Sequence, residues 1–316
     1  MPARRKINSG KNNKRSLARL ASGKKRSKIF IYLFLIILTF SLFLFFVTSR
    51  KYWDGEERLT LAVQKLDGDV NVVTFDPITS EIINIAIPGD VEVEVANQLG
   101  VWKLKSVWDL GKQEELEGTL LARTVTKHFK FPVFLWAQSE ASGFYEGNVS
   151  GLFKAVFFPY STNLNLADRV SISLFSLGVK NTKRFEIKLE ETSYLHKSVL
   201  ADGEEGWKVV GDAPQDITSL FADPAFSEKA YRVVITDATG KVTLAKDVGE
   251  IIEILGGKIS SVNRQEVDPR GCEIRGKDKD IALKVVRLFP CELGSNEPQG
   301  NFDLEMVIGE GFAKSY

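Results

Sequence analysis

Residues 29–48 read IFIYLFLIILTFSLFLFFVT, twenty consecutive residues without a charge, a glycine or a proline. At about 1.5 Å of rise per residue, a helix over this run is about 30 Å long, the thickness of a bilayer's hydrocarbon core. Lys28 precedes it, Arg50 and Lys51 follow, and Tyr52 and Trp53 suit the headgroup region beyond. A cleavable signal peptide would have a shorter apolar core followed by small residues. Here bulky Phe continues to Phe46 and no A-x-A pattern follows. The run predicts an uncleaved transmembrane signal anchor.

Charge orients it. Eleven of the 42 Lys and Arg fall in residues 1–28, which contain no Asp or Glu, so the remainder carries about −10. This asymmetry predicts a cytoplasmic basic tail (1–28), a single-pass location in the cell membrane and an extracytoplasmic body (50–316). The tail has no helix-turn-helix pattern, so anionic lipid headgroups are its expected partner and nucleic acid is not. The two cysteines, Cys272 and Cys291, both lie on the outer side, where a disulfide between them is plausible. Two histidines and two cysteines in this arrangement match no metal-site spacing, and neither His128 nor His196 has partners for nucleophilic catalysis. Both are expected at the surface.

A short polar stalk (49–58) precedes a strand near 59–66. Residues 70–87, VNVVTFDPITSEIINIAI, read as a β-hairpin: two β-branched apolar runs flank DPITS, where Pro77 fixes φ and Asp76 and Ser80 can bond the backbone. Residues 91–110 run from polar to apolar. A helix is expected at 114–130, with Leu116, Leu120, Leu121, Val125 and Phe129 on one broad face, then a strand at 133–136. Helices are expected at 151–159 and 166–179, a strand over Phe185–Leu189, and short elements at 199–200 and 207–210. Segment 211–230, with Pro214 and Pro224, reads as a linker holding one short helix. The aromatic stretch 144–160 is expected to pack in the core, with a lipid-holding groove as the rival reading. Asn148 opens an NVS triplet that matches a glycosylation acceptor only in a host with that machinery. From Tyr231 strands alternate with helices at 242–257 and 278–290. Gly256-Gly257 stops the first, and Asp278 caps the second. The fold class is therefore α/β (α+β), with a small C-terminal α/β domain.

Three pieces of that last region read VVITDATGKVTLAKDVGEIIEILGG, GKDKDIALKVVRLF and FDLEMVIGEGFA. In this order they resemble the C-terminal domain of LytR–CpsA–Psr proteins, with Asp237 where that domain usually has Asn. Residues 59–136 are similar to the catalytic domain of the same family. VVTFDPITSEIINIAIPGD stands where the family ends a hairpin in I-P-R-D, and GVWKLKSVWDLG where it has a K-I-N-a-A pattern. The resemblance implies a chain of six parts: tail 1–28, anchor 29–48, stalk 49–58, a degenerate catalytic-like domain 59–210, linker 211–230 and a C-terminal domain 231–316.

The family attaches glycopolymers to the cell wall. It transfers a phosphoglycosyl unit from a polyprenyl-pyrophosphate carrier, using arginines, acidic residues and a divalent metal. Concentrated negative charge on the substrate explains the need for arginine forks. Here Gly89 stands at the arginine of I-P-R-D. QKLDGD (64–69) offers Asp67 and Asp69 without the expected Arg, and 137–210 has no counterpart of the later Q-R signature. Asp90 and Lys103 remain in position as the candidate binding residues if such a site persists, with Asp90 reading better as a strand-end turn residue. The expectation is a non-catalytic envelope protein, with no cofactor and no catalytic residue, that binds wall polymer or another envelope protein. The alternative is a divergent phosphotransferase with a divalent metal, its arginines drawn from Arg123, Arg169 or Arg184.

Overall fold

The computed structural model describes residues 32–41 and 52–316. Contacts divide the chain into two units, 1–50 and Lys51–Tyr316. In the first unit residues 32–41 form a helix (α1) with exposed side chains. The rest of the expected anchor, the basic tail and residues 49–51 lie outside the described residues. No helix among the described residues is long and apolar enough to cross a membrane.

The second unit opens with β1 (Leu59–Gln64), β2 (Val70–Asp76) and β3 (Glu81–Ile87), an antiparallel meander. The expected turn forms. Asp76 Oδ1 accepts the amides of Ile78 and Thr79 at 2.9 and 3.3 Å, as a short side-chain acceptor at the first turn position should. Asp76 is buried, and Arg58 offsets that burial with an ion pair at 2.7 Å. Next come β4 (Glu92–Glu94), β5 (Val101–Lys103), α2 (Leu104–Gln113), α3 (Gly118–Phe129) and β6 (Leu135–Ala137). They are followed by α4 (Gly143–Glu146), α5 (Val149–Phe157), α6 (Leu166–Gly178) and β7 (Arg184–Lys188). The sheet order is β6-β1-β2-β3-β7, with β6 parallel to β1 and β7 parallel to β3.

Every residue of β2 is buried, so both faces of this sheet are covered. On one side Val70, Val72, Ile85 and Ile87 pack with Leu104 and Val107 of α2 and Leu120, Leu121 and Val125 of α3. On the other Leu61, Val63, Val73 and Phe75 pack with Phe144, Leu152, Val156 and Ile172 of α4–α6. The result is three layers, helix–sheet–helix.

A hairpin, β8 (Leu195–Val199) with β9 (Glu205–Val209), leads to α7 (Gln215–Thr218) and α8 (Pro224–Ser227). Within 211–230, Ile217 and Phe221 belong to the first core and Phe226 to the second. Residues from Tyr52 onward also pack against this unit. Trp53 is buried and donates Nε1–H to the Glu57 carbonyl at 2.6 Å.

The last region contains β10 (Arg232–Ala238), α9 (Leu244–Ile254), β11 (Lys258–Arg264), β12 (Cys272–Gly276), α10 (Lys279–Leu288), β13 (Glu292–Leu293), β14 (Leu304–Gly309) and α11 (Glu310–Ser315). Its sheet runs β11-β10-β14-β12-β13. Val233, Ile235, Ile274, Leu304 and Met306 form its core with Val248, Ile251 and Ile252 of α9 and Ile281 and Val285 of α10. Asp278 caps α10, its Oδ1 accepting the Asp280 and Ile281 amides.

Ion pairs and hydrogen bonds join the two cores. Arg58 donates to the Ala222 carbonyl at 2.8 Å, Lys284 holds both Glu57 and Asp223 at 2.7 Å, and Gln98 donates to the Ala313 carbonyl at 2.7 Å. Cys272 and Cys291 are bonded, their Cα atoms 4.4 Å apart and 19 positions apart in sequence. The bridge ties β12 to the segment after α10 and removes loop freedom from the unfolded chain. Double Cys272→Ser/Cys291→Ser replacement is expected to cost roughly 3 kcal/mol, read as a lower denaturant midpoint, and reductant should reproduce the loss in the parent.

Candidate functional site

The rim after β3 is where the resemblance places phosphate chemistry. Gly89 donates its amide to Asp69 Oδ1 at 2.8 Å, and Lys105 donates its own amide to the Gly89 carbonyl at 2.9 Å. A Cβ at Gly89 would lie 2.6 Å from the Gly68 carbonyl oxygen and 2.9 Å from Lys105 Cβ. The backbone of the β1–β2 turn therefore fills the space into which an arginine would project. Gly68 itself has φ +92, which holds that turn in place.

The charged residues around the rim are paired with one another. Asp90 meets Lys105 at 2.6 Å, both side chains about half exposed. Lys103 holds Asp202 at 2.8 Å and also Glu204, and these two bonds, Asp202 first, raise its pKa. Asp67 and Asp69 pair with Lys65. These carboxylates do not fit a divalent cation. Asp67, Asp69 and Asp90 already face ammonium groups, and Asp69 is also spent on the Gly89 amide. Among the described residues no group of three or more His, Cys, Asp or Glu is placed to hold a metal ion.

The candidate arginines are not gathered on Asp90. Arg169 donates to the carbonyls of Ala155 and Phe158, both at 2.7 Å, and stacks over Tyr160. Arg184 donates to the carbonyls of Tyr145 and Ser176. Both lie on the α4–α6 side of the sheet, whereas Lys105, the partner of Asp90, belongs to α2 on the other side. Arg123 is half-buried on α3, where burial lowers its pKa.

A second concave region lies between the two cores. It is a cleft of about 550 Å³, lined among others by His128, Lys130, Tyr194, Gln215, Glu250 and Glu253. Lys130, at the left-handed end of α3, reaches Asp247 of α9 at 3.0 Å. His128, expected at the surface, is half-buried, with β4 against it. Its Nδ1 accepts the Glu94 amide at 3.3 Å, and its Nε2 is buried with no partner among the described residues. With Nδ1 accepting, the ring proton sits on Nε2, a buried N–H without a partner among the described residues. No local pattern marks His128, because the strand that buries it lies 34 positions away. His196 is exposed as expected.

Burial lowers the His128 pKa from 6.5 to about 4. The unfolded ring takes up its proton near 6.5 and the folded one only near 4, so stability is lost as pH falls through that window, by up to roughly 3 kcal/mol. His128→Phe should show a shallower loss between pH 6.5 and 4 in pH-dependent unfolding. At the rim, Gly89→Ala should cost about 1–3 kcal/mol through forced displacement of the Gly68 turn, read from the unfolding midpoint.

No protein-family model and no curated protein matches the chain. Among solved structures it is similar to B. subtilis TagT, at 14% identity and TM-score 0.37, over 51% of this chain and 88% of TagT. It is similar to B. subtilis TagU at 10% identity and TM-score 0.35, over 51% of this chain and 94% of TagU. A third is the LytR–CPS2A–psr family protein YwtF (TagT) with bound octaprenyl pyrophosphate lipid, at 14% identity and TM-score 0.36, over 51% and 88%.

Proposed function

We propose that this chain is a membrane-anchored, extracytoplasmic envelope protein that binds a wall glycopolymer, or a protein carrying one, without transferring it. The observation that carries this reading is the state of the rim. Gly89 is held against the Gly68 turn, and Asp90 and Lys103 are engaged by Lys105 and by Asp202 and Glu204. A phosphoglycosyl transfer needs guanidinium forks facing the pyrophosphate, and Arg169 and Arg184 donate to main-chain carbonyls instead.

The cleft between the cores is the proposed binding site. A tyrosine, a glutamine, a lysine and two carboxylates offer both donors and acceptors, which suits the hydroxyls of a polyol or sugar chain. The solved relatives suggest what to present to it, since one holds octaprenyl pyrophosphate lipid and another is described as bound to LIIa-WTA.

The test uses the full chain in detergent or nanodiscs, offered wall glycopolymer and a polyprenyl-pyrophosphate-linked glycopolymer, with and without magnesium. Polymer capture without magnesium and without release of the lipid carrier is expected. Gln215→Ala, which removes an exposed amide from the cleft lining, should weaken that capture about tenfold, the ~1.4 kcal/mol typical of one hydrogen bond. Magnesium-dependent loss of the polymer from its carrier would overturn the binding reading in favour of transfer.

A further inference from the structure

The aromatic stretch expected in the core is only partly there. Phe144 and Leu152 are buried, whereas Val149, Phe153 and Phe157 form an exposed stripe at four-residue spacing along α5, continued by Phe158. The three phenylalanines are 57, 62 and 45% exposed in the order Phe153, Phe157, Phe158. Their rings meet one another, with centroids 5.0 Å apart for Phe153–Phe157 and 6.4 Å for Phe153–Phe158. The neighbouring α6 leaves Leu174 and Leu177 equally uncovered. Apolar side chains grouped in this way on a surface mark a contact.

The chain itself says what that contact is. Tyr52 and Trp53 donate their amides to Asp168 of α6, at 3.1 and 3.3 Å, and the Trp53 ring packs edge-on against Phe175 of the same helix. Only three residues separate Tyr52 from Thr48, the last of the uncharged run. A fully extended chain of that length spans about 14 Å. If residues 29–48 cross a bilayer, α6 is held within about that reach of its surface, and α5 packs beside α6. The stripe is flanked by Lys154 and by Arg169 stacked on Tyr160, a mixture suited to the headgroup layer.

We infer that the exposed face of α5, with Phe153, Phe157 and Phe158 at its centre, lies in the outer leaflet and holds the body against the membrane. This rests on the anchor reading proposed above. Because the body carries about −10, the attraction is apolar, and raising salt should leave it intact.

The test places a bimane fluorophore at position 157 (Phe157→Cys) or, as a control, at exposed position 78 (Ile78→Cys). The full chain is reconstituted in phosphatidylcholine–phosphatidylglycerol vesicles. The two native cysteines are bonded to each other and do not compete for the label. Interfacial helices sink about 5–10 Å, so a lipid with a nitroxide high on its acyl chain should quench position 157 several-fold more than position 78, at low and high salt alike. Retention of the chain in alkali-washed vesicles with equal quenching at the two positions would overturn this inference alone. Release of the chain by alkali would overturn the anchor reading and this inference together. Quenching that is equal at the two positions, with fluorophores at 157 pairing between copies, would assign the face to a second copy and overturn it as well.

Discussion

Strand β2 is buried along its whole length, and most of the first core follows from that. A strand covered on both faces needs helices above and below, and the chain supplies α2 and α3 on one side and α4–α6 on the other. Polar chemistry is then confined to the strand ends. At one end Asp76 closes the β2–β3 turn and recruits Arg58. At the other the β1–β2 turn and the end of β3 meet at Gly68 and Gly89, close enough to exclude a side chain. The residue that decides the chemistry of the rim is thus fixed by how tightly the meander packs.

The same logic explains why the two cores act together. Arg58 joins the first strand end to the carbonyl of Ala222, and Lys284 bridges Glu57 and Asp223. Such pairs repay the cost of partial burial only where several hydrogen bonds are made at once. Arg58 and Lys284 each satisfy more than one acceptor, so the segment between the cores is fixed from both sides. The cleft containing His128 inherits that rigidity, because α3, the 211–222 segment and the end of α9 all form its walls.

Much of this was legible in the sequence. The hairpin, α9, α10 and the Asp278 cap each carry a local signal that packing only reinforces. Others carry none. Strands β4 and β5 are three residues long, too short for alternation to register, and α2 begins directly after β5 with no side-chain cap. Periodicity located α5, yet it reports that a helix has an apolar face and never what covers it. That is why Phe153 and Phe157 read as core and prove exposed. His128 failed in the opposite sense, lying on the polar side of its helix until a strand distant in sequence closed over it.

The exchange at Gly89 was visible as a letter, but its meaning was not. Taken alone, Gly89 reads as a single difference from the pattern that the sequence resembles. The structure makes it part of a unit. The Gly89 amide holds Asp69, Gly68 turns with a positive φ to let its carbonyl approach, and Lys105 packs on both glycines while pairing with Asp90. Placing a guanidinium there would require the β1–β2 turn to move, which in turn would release Asp69. Arg169 and Arg184 bond main-chain carbonyls at helix ends on the α4–α6 side of the sheet, away from this rim. The rim is built as packing, and its charges are arranged to satisfy each other.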